Sequence, residues 1–405
     1  MSLVLVAAAA LHASVLAAPP EVTFLPAGTA AYKVSNNGSV VVGPAGSGNV
    51  FRWTSDGSYT VLSGVHTGNP QVSISGDGLT VVTDTPNAAN KMVASTWVGR
   101  GPWTQLPTTG FASCDAFFLN AYDANLDGSV VVGLGWITGC GAHAFRWDPT
   151  NGSVDLGTIV AGRSSRANAV SNDGTVIAGW QDTASGQRRG ARWVNLVESY
   201  LPNYVAPSGT SYVIGEALGM SGNGKHLVGY NVFSAPAGPG WHYDVDANVV
   251  YALQNLAQFG SQDALVNGAS DDGSVCIGTS GGIPIGRKAI IWLNNGAPQD
   301  LVAYIQSKGG STAPYTSLGT AMDISADGRT IVGWGAGTGN PTGAWIVHFP
   351  ADCPADLTGD GSIGAEDIAI LLGAWGSSGP ADLTGDGTVG ADDLAVLLGA
   401  WGACP

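Results

Sequence analysis

Short apolar runs alternate with small polar residues along most of this chain, and one arrangement of the two recurs seven times. Each copy holds an apolar residue, usually Ser, two residues ending in Asp or Asn, then Gly, then a β-branched run that mostly closes on a second Gly. The copies are Val34 to Gly43, Ile74 to Thr83, Ala124 to Gly133, Val170 to Gly179, Met220 to Gly229, Ala269 to Gly278 and Ile324 to Gly333. Their central glycines, Gly38, Gly78, Gly128, Gly174, Gly224, Gly273 and Gly328, stand 40, 50, 46, 50, 49 and 55 residues apart. Val-rich runs bounded by Gly, Asn and Asp read as strands, and a sustained period of this length reads as a repeat architecture.

The remainder of each unit fits the same reading. A variable loop leads into an aromatic strand, such as Phe51-Arg52-Trp53, Phe145-Arg146-Trp147, Ala191-Arg192-Trp193 or Ile290-Ile291-Trp292. A further short strand usually follows, for example Val154-Asp155-Leu156. Four strands in about 48 residues make one propeller blade. Each Asp-Gly or Asn-Gly pair is expected to form a two-residue hairpin turn with φ > 0, joining first strand to second. The last unit ends at Phe349-Pro350 without a fourth strand, whereas Val22-Thr23-Phe24-Leu25 stands spare before the first unit. The N-terminal strand is therefore expected to complete the seventh blade, so that no sheet edge is left open. The expectation is an all-β seven-bladed β-propeller over residues 21–350. The Ser-x-Asp-Gly turns and Ala-Phe-Arg-Trp strands resemble the bacterial extracellular HAF repeat family, a resemblance that implies fold and secretion but no shared activity.

The last 55 residues carry a different pattern. Pro354 to Trp375 and Pro380 to Trp401 are identical at 17 of 22 positions. Each copy runs from an acidic twelve-residue loop into an apolar helix, Ile368-Ala-Ile-Leu-Leu or Leu394-Ala-Val-Leu-Leu. Calcium takes six to eight oxygens, and such loops supply them from positions 1, 3, 5, 7 and 12, with Gly at position 6. The predicted ligands are Asp356, Thr358, Asp360, the Ser362 carbonyl and Asp367 in one loop, and Asp382, Thr384, Asp386, the Thr388 carbonyl and Asp393 in the other, for two Ca2+ ions. Too few residues precede either loop for an entering helix. The duplicated loop and exiting helix resemble a type I dockerin, over about Cys353 to Cys404, with a small α-helical module at 351–405. That resemblance implies a cohesin-like or surface-protein partner. Positions 10 and 11 are Ala365-Glu366 and Ala391-Asp392, where the best-known dockerins present Ser-Thr to a cohesin. Trp375 and Trp401, at the helix ends, are expected to pack the two helices together.

Charge sharpens this division. The formal net charge is −15, and residues 351–405 hold nine acidic residues and no Lys or Arg, leaving −6 for everything before them. An acidic chain with no basic run argues against nucleic-acid binding. Residues 1–18, an apolar Leu/Val/Ala stretch ahead of Pro19-Pro20, read as a secretory signal peptide, and no other segment is apolar for the ~20 residues that a membrane span needs. In an exported chain Cys353 and Cys404 are placed to clasp the acidic module and Cys114 to bridge Cys140, whereas Cys276, in a Val-rich strand, reads as a buried small hydrophobe.

No catalytic set emerges. His66, His143, His226, His242 and His348 lack metal-ligand spacing, and Gly278-Thr-Ser-Gly-Gly282 lacks the following helix that a nucleophile elbow requires. Arg52, Arg146 and Arg192 share one register and are expected to pair with a neighbouring blade's Asp. Trp136, Trp180, Tyr230 and Trp334 fall at the ends of Val-Gly strands, as an aromatic rim suited either to a glycan or to covering a hydrophobic edge. The chain thus reads as a secreted, non-catalytic binding or display protein with a calcium-dependent adaptor. A polysaccharide-degrading hydrolase or lyase on a propeller scaffold, and a structural surface spacer, are the competing readings.

Overall fold

The computed structural model describes residues 19–65, 71–230, 239–259, 264–282, 286–337, 343–350, 353–358, 362–384 and 386–404. The expected signal peptide, His66 and the predicted ligand Asp360 lie outside these residues. The chain divides into two units, Glu21–His348 and a smaller one containing Phe349–Pro405.

The larger unit is a seven-bladed β-propeller. Seven four-stranded antiparallel sheets follow one another, spanning 33–63, 73–105, 119–155, 165–200, 217–253, 264–300 and 318–348. In blade 3 the strands are Leu119–Ala124, Val131–Trp136, Ala142–Asp148 and Gly152–Asp155, paired in sequence order. Blade 7 supplies only three strands of its own, and its fourth is Glu21–Phe24, with Val22 opposite Val347. The ring is therefore closed by the N-terminal strand, as the spare apolar run requires. Between blades 4 and 5 sits a small hairpin, Tyr204–Val205 with Ser211–Tyr212, and helix α1, Leu301–Ser307, capped by Asp300, leads out of blade 6.

Apolar alternation places the core between neighbouring blades. Val82, Ala94 and Leu106 of blade 2 pack with Leu119, Ala121, Val131 and Phe145 of blade 3. Val332, Ala344 and Ile346 of blade 7 pack in the same way with Val34, Val41 and Phe51 of blade 1. The third-strand tryptophans Trp193, Trp241, Trp292 and Trp345 are fully buried.

The turns differ from the two-residue hairpins expected. Ser35 pairs with Val40, so four residues intervene, and the Gly38 amide donates back to Ser35 O. Among the motif residues only the glycines, at φ 69–76°, occupy the left-handed region. The Asp or Asn serves as an acceptor instead: Asp173 Oδ1 receives Ser171 Oγ and the Thr175 amide, and Ser171 Oγ receives the Val176 amide. Equivalent bonds recur at Asn37, Asp77, Asn223, Asp272 and Asp327. In blade 3 Asn125 replaces the serine and accepts from Val130 N.

The smaller unit is built on the duplication. Helices α2, Ala365–Gly373, and α3, Ala391–Gly399, each follow one loop. Ser362–Ile363 pairs with Gly402–Ala403, and at positions displaced by 26 (363 to 389, 376 to 402) Val389 exchanges backbone bonds with Gly376 and Ser377. The two halves thus bind each other reciprocally, around a core of Leu357, Ile363, Leu371, Val389 and Leu397. Cys353–Cys404 and Cys114–Cys140 are disulfides, and Cys276 is free and buried, its thiol pushed up to about 12 chiefly by burial.

Candidate functional site

Each acidic loop closes on its position-12 carboxylate. Asp393 is buried and lies three residues into α3. Its Oδ1 accepts the Thr384 amide at 2.9 Å and the Thr384 hydroxyl at 3.0 Å, and its Oδ2 accepts the Gly390 amide at 2.6 Å. Asp367 repeats this, with Thr358 N at 2.9 Å and Gly364 N at 2.7 Å. The amides of Thr384 and Gly390 hold the Asp393 carboxyl below the usual range. At Asp367 burial opposes ionisation, but the amides of Gly364 and Thr358 outweigh it.

The threonine at position 3 gathers the donors. Thr358 Oγ1 lies 3.1 Å from Asp356 Oδ1, and Thr384 Oγ1 lies 3.4 Å from Asp382 Oδ1. Asp382 accepts the amides of Asp386 and Gly387, which curls the loop around it. Asp386 instead accepts the Thr388 amide through Oδ1. Positions 1, 3 and 12 of both loops are thus brought together as all-oxygen sets, and Ser362 and Thr388 fall in the segments that join the two halves. Hard oxygen donors around two carboxylates fit calcium, not a soft metal. Asp356, Thr358, Ser362 and Asp367, with Asp382, Thr384, Asp386, Thr388 and Asp393, are the described residues that would hold it.

Trp375 and Trp401 do not pack the helices together. They are 49% and 53% exposed, as are Ile370, Leu372, Val396 and Leu398 at 43–52%, because Leu371 and Leu397 already fill the space between the helices. The module therefore turns a duplicated apolar surface outward.

The propeller offers a second set of groups, around its axis. The seven turns are joined in a circle, since Asn36 N, Asp77 N, Leu126 N, Asn172 N, Asp271 N and Ala326 N each donate to the next blade's turn, and Asn223 N donates to Asp271 Oδ1. Above this circle a cavity of about 50 Å³ is bounded by Lys33, Asp123, Asp323 and the bonded Asn36–Asn172 pair. Lys33 Nζ lies 3.9 Å from both carboxylates. Asp323 Oδ2 accepts Val34 N from blade 1 and Asp123 Oδ2 accepts Val170 N from blade 4, so these carboxylates staple blade to blade.

Beside Asp123, and at the matching place in blade 4, strand bulges redirect side chains. The register shifts at Ala121/Asp123 and Ala167/Ala169 leave Tyr122 and Asn168 unpaired. Around them gather Arg166, Arg188, Glu216 and Trp180. Sequence reasoning missed this cluster because its members are spread over 122–216 in no short motif; only the aromatic rim hinted at it. Asp84, fully buried nearby, accepts Asn120 Nδ2 and Ala121 N, and burial raises its carboxyl to about 7. Arg52, Arg146 and Arg192 lie on third strands, away from the axis. Arg52 donates to Gly78 O, Arg146 pairs with Asp148 of its own strand, and Arg192 covers Tyr243, so among the described residues none forms an ion pair with a neighbouring blade's Asp.

No family model matches the chain, and no curated protein matches it. Among solved structures, a putative TolB from Agrobacterium tumefaciens is 12% identical over 83% of this chain and 99% of that one, with a TM-score of 0.40. TolB from Acinetobacter baumannii is 14% identical over 57% of this chain, which spans about half (53%) of that protein's length, with a TM-score of 0.38.

Proposed function

We propose that this is a secreted, non-catalytic binding or display protein, in which a propeller presents the ligand-facing surface and the C-terminal module is a dockerin-like adaptor holding two Ca2+ ions. The observation that carries this reading is the reciprocal pair of loops, each gathering oxygens at positions 1, 3 and 12 about a buried aspartate. Calcium would bridge the loop's carboxylates to its hydroxyl and carbonyl oxygens, and so couple loop closure to the seating of α2 and α3. The outward-facing residues Ile370, Leu372, Trp375, Val396, Leu398 and Trp401 supply a surface for a protein partner. Two disulfides accord with an oxidising compartment. Among the described residues no helix is long and apolar enough to cross a membrane.

The test is isothermal titration of the EDTA-stripped protein with calcium, paired with an activity screen on a polysaccharide panel. Two bound ions per chain without turnover is the expected result. Robust turnover would replace this reading with the polysaccharide-degrading one, and the absence of calcium uptake would remove the adaptor.

A further inference from the structure

The cluster at the rim of blade 4 has the make-up of a receptor for a negative group. The protein has 15 basic residues, and five of them, Arg163, Arg166, Arg188, Arg189 and Arg192, fall in blade 4 and the loop entering it. In a chain of net charge −15 that is a local reversal. Glu216 is 2% exposed and binds both Arg166 and Arg188, with Asn168 Nδ2 donating to the same carboxylate at 2.8 Å. Arg166 is used up by this arrangement: its Nε donates to Asn168 Oδ1, one NH2 group to the Tyr122 hydroxyl and the other to Glu216. Arg188 is not. One nitrogen donates to Glu216 Oε2 at 3.1 Å, its guanidinium lies 4.2 Å from the centre of the Trp180 ring, and its side chain remains 40% exposed.

A purely structural ion pair would satisfy the buried Glu216 with Arg166 alone. The second guanidinium adds a positive charge that Glu216 no longer balances, held over an indole ring with its remaining donors free of hydrogen bonds to the described residues. Asp182 lies opposite Arg188 across the strand pair without forming an ion pair with it. Asp182 lies within electrostatic reach of Arg163 and Arg188, and the buried Asp84 acts on Tyr122, so these carboxylates offset part of the three guanidinium charges while leaving the open face of Arg188 unbonded. A planar fork fixed in this way matches a carboxylate bidentately, as a flexible ammonium would not. Trp136, Tyr230 and Trp334, half-buried at the same ends of the second strands, supply flat apolar surface along that rim, of the kind that packs against sugar rings.

We propose that this rim binds the carboxylate of an acidic saccharide, a polymer of uronic-acid sugars, with Arg188 as its receptor and Arg166, Glu216 and Trp180 as the groups that position Arg188. The assignment rests on the reading of the propeller as a ligand-presenting surface and names the class of that ligand.

The experiment measures binding of oligogalacturonate to the full chain with calcium present, against the same oligomer with its carboxyls methyl-esterified. The acid is expected to bind at least tenfold more tightly than the ester. Arg188→Gln should remove that preference while leaving the melting temperature unchanged, and Arg192→Gln, on the third strand of the same blade, should keep it. Equal affinity for acid and ester, no binding of the acid, or an unaltered preference in Arg188→Gln overturns the assignment. Calcium stoichiometry on the same sample separates that outcome from a failure of the adaptor reading.

Discussion

At Gly128 the backbone has φ of 72°, and a Cβ would meet Thr80 Oγ1 of the preceding blade at 2.5 Å; at Gly38 the corresponding approach is 2.2 Å to Thr330 Oγ1. Glycine is thus required both by the turn and by the blade before it. Gly128→Ala should destabilise the propeller by at least about 2 kcal/mol in chemical denaturation, and a loss within 0.5 kcal/mol would show that the blades do not meet here. The Asp-Gly signature was legible in the sequence, but the role of its Asp was not. A turn in which the carboxylate accepts amide and hydroxyl hydrogens uses the same two residues as a two-residue hairpin with positive φ. Burial of single carboxylates was equally hidden. Asp84 keeps its proton up to about pH 7 when folded, whereas the unfolded chain releases it near pH 4. Its contribution to stability is therefore greatest below pH 4 and falls as pH rises to about 7. Between pH 5 and 7 the stability of the native protein relative to Asp84→Asn should fall by roughly 1 kcal/mol per pH unit, and parallel profiles would contradict the burial argument.

Strand count and ring closure followed from the apolar pattern, because each blade repeats its signature and the unpaired run before the first blade matches the strand absent from the last. Removing residues 21–25 leaves Ala344–His348 as an open edge and strips a neighbour from the core between blades 7 and 1, which includes Leu25. The melting temperature should drop by at least about 10 °C; an unchanged value would mean that the strand does not hold the ring closed. Element detail was legible where glycine marked it. Gly133 faces the bulge in blade 3, where a Cβ would sit 1.9 Å from Asn120 O. Blade 2 has Thr83 at that position, and the hydroxyl donates to Gln71 O instead. The bulges themselves, and the side chains they bring together, were not legible, since nothing in Tyr122 or Asn168 distinguishes an unpaired strand residue from a paired one.

For the whole molecule, the two disulfides and the change from a mixed-charge repeat to an acidic duplication divide the chain where the two units divide. Calcium is the test of that organisation. The carboxylates of Asp367 and Asp393 each close a loop through two backbone amides, so Asp367→Ala and Asp393→Ala should each abolish one binding event and leave the other. The most direct measurement is calcium titration of the EDTA-treated protein by calorimetry and far-UV circular dichroism. Two ions per chain, helix gain on binding and reversal by EDTA are expected. No heat of binding and a spectrum indifferent to calcium would contradict the calcium reading.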